Sequence, residues 1–132
     1  MYTSQAETES SNIPDAPQRY ISDQGTTIER LSTHPTPENL KKLVDMMEDA
    51  DFGVRWEAAA ALASLGFDAL RPVLQALCER SSAWLREGAH HVFYYSSSAI
   101  VRAKAAELLK AMRGPAADIA TMQMAGKLLS TL

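Results

Sequence analysis

The sequence contains a single cysteine, Cys78, among 132 residues. One cysteine excludes an internal disulfide and any metal site built from several cysteines. No window approaches the ~18 consecutive apolar residues that a membrane span requires, and the polar N-terminus has neither the basic nor the apolar region of a signal peptide. These absences predict a cytoplasmic protein that does not insert into a membrane.

Glycine clusters and a strong positive charge are also missing. The six glycines are scattered singly, so the chain has no glycine-rich loop of the kind that binds phosphate. The net charge is -3, with acidic residues in excess over 1–66 and basic residues in excess over 67–132. Nucleic-acid binding would need a strongly positive stripe, so nucleic acid is disfavoured as a partner. The asymmetry instead gives a dipole suited to orienting a protein partner or a second copy.

No segment shows the alternation of apolar and polar residues expected of a half-buried strand, and apolar residues recur at helical spacing instead. The length suits one domain. The polar residues 1–18 are predicted to form a poorly ordered tail, and residues 19–132 a domain of six or seven helices. The predicted fold class is therefore all-α.

The apolar stripes repeat along the chain. The stripe in 40–47 (Leu40, Leu43, Val44, Met47) recurs thirty residues later as Leu70, Val73, Leu74 and Leu77. The sequence Val54-Arg55 with Ala58 recurs after thirty-one residues as Leu85-Arg86 with Ala89. Two helices in each unit of ~30 residues are typical of a helical repeat array.

The stretch "DADFGVRWEAAAALASLGFDALRPVLQALCE", residues 49–79, resembles a HEAT repeat of the phycobilisome-lyase type. The pattern is an acidic turn, a Val-Arg pair, an alanine-rich first helix, Leu-Gly, and a second helix with an early proline, here Pro72. The resemblance implies a short right-handed α-solenoid of antiparallel helix pairs, an armadillo-like helical fold used mostly for protein binding. We expect the alanines to let neighbouring helices approach closely.

The segment "VRAKAAELL", residues 101–109, matches the first-helix pattern but follows the previous copy after only sixteen residues. Either 99–112 is the second helix of its unit with the sequence of a first helix, or the array is irregular here. We favour the former. This choice predicts a groove lined by second helices at 36–48, 67–79 and 99–112.

The helix predicted at 83–95 carries the candidate binding residues. Trp84, His91 and Tyr95 share one side of this helix, with His90 and Tyr94 on the next. Aromatic side chains with polar tips are preferred anchors of protein interfaces. The alternative is that Trp84 and Tyr95 pack between units. We predict a surface that accepts a helix or an extended segment of another protein.

Arg55, Arg86 and Arg102 occupy the same position in successive copies of the pattern. An arginine one step off the apolar stripe can bridge to acidic residues of a turn, as Arg55 could to Asp49 or Asp51. We therefore expect an inter-repeat structural ladder rather than a ligand site.

Patterns for metal binding and catalysis are weak. His90 and His91 are adjacent, so on a helix they point about 100° apart and do not converge on one ion. Cys78 lies beside an apolar stripe with no histidine nearby in sequence, which predicts an inert buried thiol. We expect no metal, no cofactor and no catalytic residue.

The favoured function is therefore a non-catalytic scaffold or adaptor that binds another protein. The resemblance leaves open an accessory subunit of lyase type that handles a bilin on an acceptor protein. A third alternative is a homodimer joined through the C-terminal helix. That helix is predicted to direct Ile119, Met122, Gly126 and Leu129 to one side, with Met124 and Leu128 widening the apolar face.

Overall fold

A computed structural model describes residues 27–132, and every regular element in that range is helical. The all-α prediction is confirmed. Residues 1–18, predicted as a tail, lie outside the described residues, as do residues 19–26 of the predicted domain. The helices are α1 (27–33), α2 (Pro37–Met46), α3 (Phe52–Leu65), α4 (Phe67–Glu79), α5 (Ala83–Tyr94), α6 (Ala99–Lys104), α7 (Ala106–Arg113) and α8 (Ala117–Leu129).

Four of these helices begin with a polar side chain that caps the first turn, and the first is α2, where the Thr36 hydroxyl accepts from the N–H of Asn39. Asp51 accepts hydrogen bonds from the backbone N–H groups of Gly53 and Val54 at the start of α3. Ser82 and Ser98 cap α5 and α6 in the same way. Each cap satisfies N–H groups that have no partner inside the helix, so the repeated sequence pattern fixes where these helices start.

The helices form two layers. In one layer α5 packs against α3 on one side and α7 on the other, and in the second layer α4 packs against α2 and α8. Short turns join successive helices, as in antiparallel helix pairs. This arrangement is a short helical-repeat solenoid, as the repeat period predicted.

Small residues occupy several completely buried positions of the helices. Ala58 and Ala89, at the same position of successive copies, are completely buried, and so are Ala105 and Ala125. A methyl side chain lets two helix backbones approach more closely than a leucine would. Larger buried side chains from residues 40–47, 54–65, 70–77 and 85–93 belong to the same core.

The C-terminal part of the solenoid differs from the prediction. Residues 99–113 form two helices, because the backbone at the buried Ala105 (φ -88°, ψ 2°) leaves the helical conformation between α6 and α7. The number of helices within 27–132 is therefore eight. The helix that packs along α4 is α8, whereas a single helix at 99–112 was predicted next in the second-helix layer. The short helix α6 connects α5 to α7, which packs against α5.

Helix α8 also presents a different face from the predicted one. Thr121 and Ala125 are buried against the neighbouring helices, while Ile119 is exposed. The inward face is small because α8 packs against both α4 and α7. Met124, Leu128 and Leu129 pack against the edge of the same core.

The junction between α3 and α4 depends on Gly66, which has φ +62°. The loop after α5 packs onto this junction: the Ser97 N–H donates to the carbonyl of Ala63 (2.9 Å), and the Ser97 hydroxyl donates to that of Ser64 (3.0 Å). A Cβ atom on Gly66 would lie 2.8 Å from Ser97 Oγ. Glycine is therefore required both by the backbone conformation and by the close approach of the loop.

We predict that Gly66→Ala lowers the free energy of unfolding by about 1–3 kcal/mol, because alanine is strained at this φ and meets Ser97. Urea denaturation measures the change. Gly114→Ala is the matched control: Gly114 has an extended backbone, and an added Cβ comes no closer than 3.4 Å to another atom. Equal stabilities of the two variants would contradict this role for Gly66.

We further predict that Ala58→Leu destabilises the protein by about 1–3 kcal/mol, because the buried site has no room for three more carbon atoms. Ala106→Leu, at an exposed position of α7, should change stability by no more than about 0.5 kcal/mol. Thermal unfolding followed by circular dichroism compares the two. An Ala58→Leu variant as stable as the parent would show that close helix approach is not needed there.

Candidate partner-binding surface

Four exposed aromatic rings and two half-buried imidazoles form a continuous row across α3, α5 and the residue that follows α5, which we call the aromatic ridge. Its ring centroids follow one another at 6.3 Å, 4.3 Å, 4.7 Å, 4.9 Å and 5.9 Å. These spacings are those of interacting aromatic pairs. The members in order are Phe52, Trp56, His91, Tyr95, Tyr94 and His90.

Helical spacing and the apolar stripes place these rings on the outside. Phe52 and Trp56 are four residues apart and so share one face of α3. Val54 and Ala58 of the same helix face the core, which leaves the two large rings in solvent. The side chains of Phe52, Trp56 and Tyr95 remain 67%, 52% and 63% exposed. Exposed apolar groups in one contiguous patch mark an interaction site more often than isolated ones do.

The ridge forms one wall of a groove of about 900 Å³, which we call the aromatic groove. The facing wall comes from α7, whose Leu109, Lys110 and Arg113 line it. The groove therefore combines aromatic surface with a cationic edge. Its lining residues from α3 and α5 are Trp56, Glu87, His90, His91, Tyr94 and Tyr95.

Arg113 joins the two walls. Its Nε donates to Nε2 of His90 at 2.8 Å, an arrangement that requires an unprotonated Nε2. Burial, followed by the charge of Arg113 and that of His91, lowers the pKa of His90 below its ordinary value. Arg113 forms no salt bridge with a carboxylate of residues 27–132, whereas its neighbour Lys110 lies 3.4 Å from Glu107.

Four of the five predicted binding residues meet in this groove, and the fifth does not. His90, His91, Tyr94 and Tyr95 line it, but Trp84 lies beside it with its ring 4.1 Å from the guanidinium carbon of Arg55. That guanidinium also lies 5.6 Å from the ring centre of Phe52. Trp84 thus makes a cation–π contact between units.

The arginine ladder takes another form than expected. The three arginines donate to backbone carbonyls of the turn before their own helix: Arg55 to Asp49 (2.7 Å), Arg86 to Ser81 (2.9 Å) and Arg102 to Ser96 (2.5 Å). These hydrogen bonds stay within one unit and reach backbone carbonyls of the turn, whereas the expected bridges were to its acidic side chains. Asp51 caps α3 instead of pairing with Arg55. Only the contact of Arg55 with Trp84 crosses to the next unit.

Sequence reasoning missed Phe52, Trp56 and the α7 wall. Phe52 and Trp56 are four residues apart and lie off the apolar stripe of Val54 and Ala58. This spacing indicates two aromatic rings side by side on the outer face of α3. Arg113 carries no comparable signal, since its approach to His90 depends on how α7 packs against α5.

A second groove, of about 530 Å³, lies between α2 and α4. Leu40, Val44, Phe67 and Pro72 contribute its apolar lining. Arg80 closes one end through salt bridges to Glu48 and to Asp45, the latter at 2.9 Å. Of the three segments predicted to line a second-helix groove, only the first two do so.

The Asp45 and Glu48 carboxylates set the electrostatics of that closed end. Burial alone lowers the pKa of Arg80, but the hydrogen bonds and charges of Glu48 and Asp45 outweigh burial and raise it. The guanidinium is therefore held as a charged, paired group, and it is not free to bind an anionic ligand.

The described residues offer little nucleophilic chemistry. Cys78 is half-buried at the contact of α4 with α8, and burial together with the charge of Glu79 raises the pKa of its thiol. A raised pKa reduces the fraction of thiolate, the nucleophilic form. The imidazoles of His90 and His91 face different partners, Arg113 and Trp56. Within 27–132 no three His, Cys, Asp or Glu side chains come together as a metal site.

The paired helices in two layers define a helical-repeat protein of the solenoid class. Residues 21–93, more than half of the chain, match a family model described as HEAT repeats, and the chain belongs to that family. The match ends at residue 93, in the last turn of α5, so the irregular part from α6 onward lies beyond it. Neither the curated proteins nor the solved structures contain a significant match. No helix in residues 27–132 is long and apolar enough to cross a membrane.

The contact of Arg113 with His90 predicts a specific titration behaviour. Replacing Arg113 with glutamine removes a charge that lowers the pKa of His90, so that pKa should rise. The pKa of His91, which burial alone lowers, should stay unchanged. Nuclear magnetic resonance of the two imidazoles as a function of pH measures both values.

The matched control is Lys110→Gln, which removes a charge from the same wall without touching His90. Its His90 titration should equal that of the parent. Because folding lowers both imidazole pKa values, the unfolded state binds protons more readily, and the parent should lose stability as the pH falls below about 6.5. An unchanged His90 pKa in Arg113→Gln would contradict the contact.

Proposed function

We propose that this protein is a non-catalytic adaptor that binds another protein through the aromatic groove. The observation that carries the proposal is the aromatic ridge, where large rings stay exposed although the chain has a well-filled core. Rigid rings supply contact area at a low cost in conformational entropy, and Trp, Tyr and Arg are enriched among the residues that dominate binding energy.

The shape of the groove favours an extended segment or a single helix as the bound element. Its walls leave an open trough that Trp56 and α5 line on one side and α7, with Arg113, on the other. Such a trough accepts apolar side chains along its length and a polar or acidic group at the cationic edge. HEAT repeats generally act as scaffolds for protein interactions, which is consistent with this role.

The two alternative functions have less support. A homodimer through the C-terminal helix would use Met122, Met124, Leu128 and Leu129, but the last three already pack against the protein's own core. The bilin-handling subunit rests on the resemblance to the phycobilisome-lyase type alone, and it stays a prediction. An absorbance change on mixing with a free bilin would be its first support.

The double substitution Trp56→Ala with Tyr94→Ala should abolish capture of the partner in a pull-down from the source lysate. Both side chains are more than half exposed, so the fold should be preserved, and circular dichroism verifies this. The captured proteins are identified and quantified by mass spectrometry against the parent chain.

Phe67→Ala is the matched control, because Phe67 is 55% exposed but lines the groove between α2 and α4. It should capture the same partner as the parent. If the control loses the partner and the double variant keeps it, binding takes place between α2 and α4, and the proposal for the aromatic groove is wrong.

A further inference from the structure

We propose that the contact between Arg113 and His90 is a pH-sensitive latch on the aromatic groove. While His90 is neutral, it holds the Arg113 guanidinium between the two walls. Protonation of His90 releases the guanidinium, and the groove then binds an anionic group more tightly. The inference rests on the proposed function, since it assigns a mode of regulation to the same groove.

The hydrogen-bond chemistry of the contact makes it depend on the protonation of His90. Arg113 Nε lies 2.8 Å from Nε2 of His90, and a second guanidinium nitrogen lies 3.5 Å from Nδ1. Arginine has donors only, so a ring nitrogen must accept, which only a neutral imidazole can do. A protonated His90 would turn N–H groups and a positive charge toward the guanidinium. The contact therefore breaks when His90 binds a proton, and histidine is the side chain that titrates nearest to neutral pH.

The latch lies where two cavities adjoin. Beside the aromatic groove is a smaller cavity of about 330 Å³, lined by residues of α5 and α7. Glu87, His90 and Arg113 line both cavities, so the contact between the latter two lies at the boundary. Its release would therefore join the two cavities into one trough between α5 and α7.

The Arg113 side chain depends on His90 for its position. Both of its polar contacts within residues 27–132 are with His90, and it forms no salt bridge with a carboxylate of that range. The side chain is also exposed. Once released, its N–H donors are available to an anionic group, with which guanidinium forms its strongest hydrogen bonds.

Glu87 offers the protonated His90 a new partner. It lies three residues before His90 on α5, so the two side chains are neighbours on the helix surface. Glu87 forms no salt bridge among the described residues. The neutral imidazole is thus suited to Arg113 and the protonated imidazole to Glu87, which gives the latch two distinct arrangements.

The other charged groups around the latch do not take the place of Arg113. Lys110 of α7 lies 3.4 Å from Glu107 and is paired with it. On α5, Arg86 lines the smaller cavity, so that cavity also attracts an anion, and a protonated His91 would add a like charge next to His90. Among the described residues, α3, α4 and α6 contribute no charged side chain to either cavity.

The first test measures binding of a fluorescent dye, anilinonaphthalene sulfonate, to the full-length chain at pH 7.5 and pH 5.0. Its rings suit the aromatic ridge, and its sulfonate stays ionised over this range. The wild-type chain should bind the dye about fivefold more tightly at pH 5.0. His90→Gln, whose amide oxygen accepts from Arg113 without titrating, should lose this difference. His90→Lys is charged at both pH values and should bind at pH 7.5 about fivefold more tightly than wild type.

His34→Gln is the matched control, because it makes the same substitution at an exposed histidine outside both cavities. It should keep the pH difference of the wild-type chain. The general gain of positive charge on acidification is common to all variants, so the comparison isolates His90, and circular dichroism verifies folding at both pH values. The proposal is overturned if the wild-type chain binds the dye equally at both pH values or not at all. It is also overturned if His90→Gln keeps the difference.

The second test observes the latch itself by nuclear magnetic resonance. The Arg113 Nε–H signal, assigned by its loss in Arg113→Gln, should be protected from solvent exchange at pH 7.5. Protection should disappear with the midpoint of the His90 titration and not with that of His91. A signal whose protection does not follow His90 would show that protonation leaves the contact in place, against the proposal.

The two proposals fail differently. Trp56→Ala with Tyr94→Ala should lose the dye, which places dye binding in the groove. If this double variant loses the partner but protonation of His90 changes neither dye binding nor the Arg113 signal, the groove binds a partner without a latch, and only the present inference falls. If His90 controls both signals but the double variant keeps the partner, the latch stands and the proposed adaptor site is wrong.

Discussion

The close approach of neighbouring helices at small buried residues is the constraint on which the rest of the structure depends. Ala58 of α3, Ala89 of α5 and Ala125 of α8 are completely buried, and α3 packs against α5 as α8 packs against α4. Once these contacts fix the distance between helices, the inner faces have little room for rings. Except for the buried Phe93 and for Trp84, which lies against Arg55, the aromatic side chains of α3 and α5 are directed outward, where they form the ridge. The binding surface is thus a consequence of how the core is packed.

Electrostatic interactions divide the two grooves into different kinds of surface. Between α2 and α4, two carboxylates pair with Arg80, so the charge of that guanidinium is neutralised within the protein. In the aromatic groove, Arg113 faces an uncharged imidazole and keeps its charge available. Two troughs on one small solenoid thereby differ in what they attract, although both are formed by the packing of neighbouring helices.

Local patterns in the sequence were sufficient to predict the regular part of the fold and the wall of the aromatic groove that α5 forms. Val54-Arg55 and Leu85-Arg86 identified the starts of α3 and α5, because capping and apolar spacing are decided within a few residues. The break at Ala105 has no glycine or proline to signal it, since it results from tertiary packing. The same holds for Arg113 and for the inward face of α8, whose positions depend on helices distant in sequence.

The contact of Ser97 with the end of α3 has a consequence for the order of folding. In an ideal repeat array each unit contacts its immediate neighbours and adds its stability locally. Here two carbonyls of α3 receive hydrogen bonds from a residue more than thirty positions later, so a loop must close before that helix end is complete. During synthesis the end of α3 therefore gains these two hydrogen bonds only after residue 97 has left the ribosome, so that helix end is completed by the second half of the solenoid.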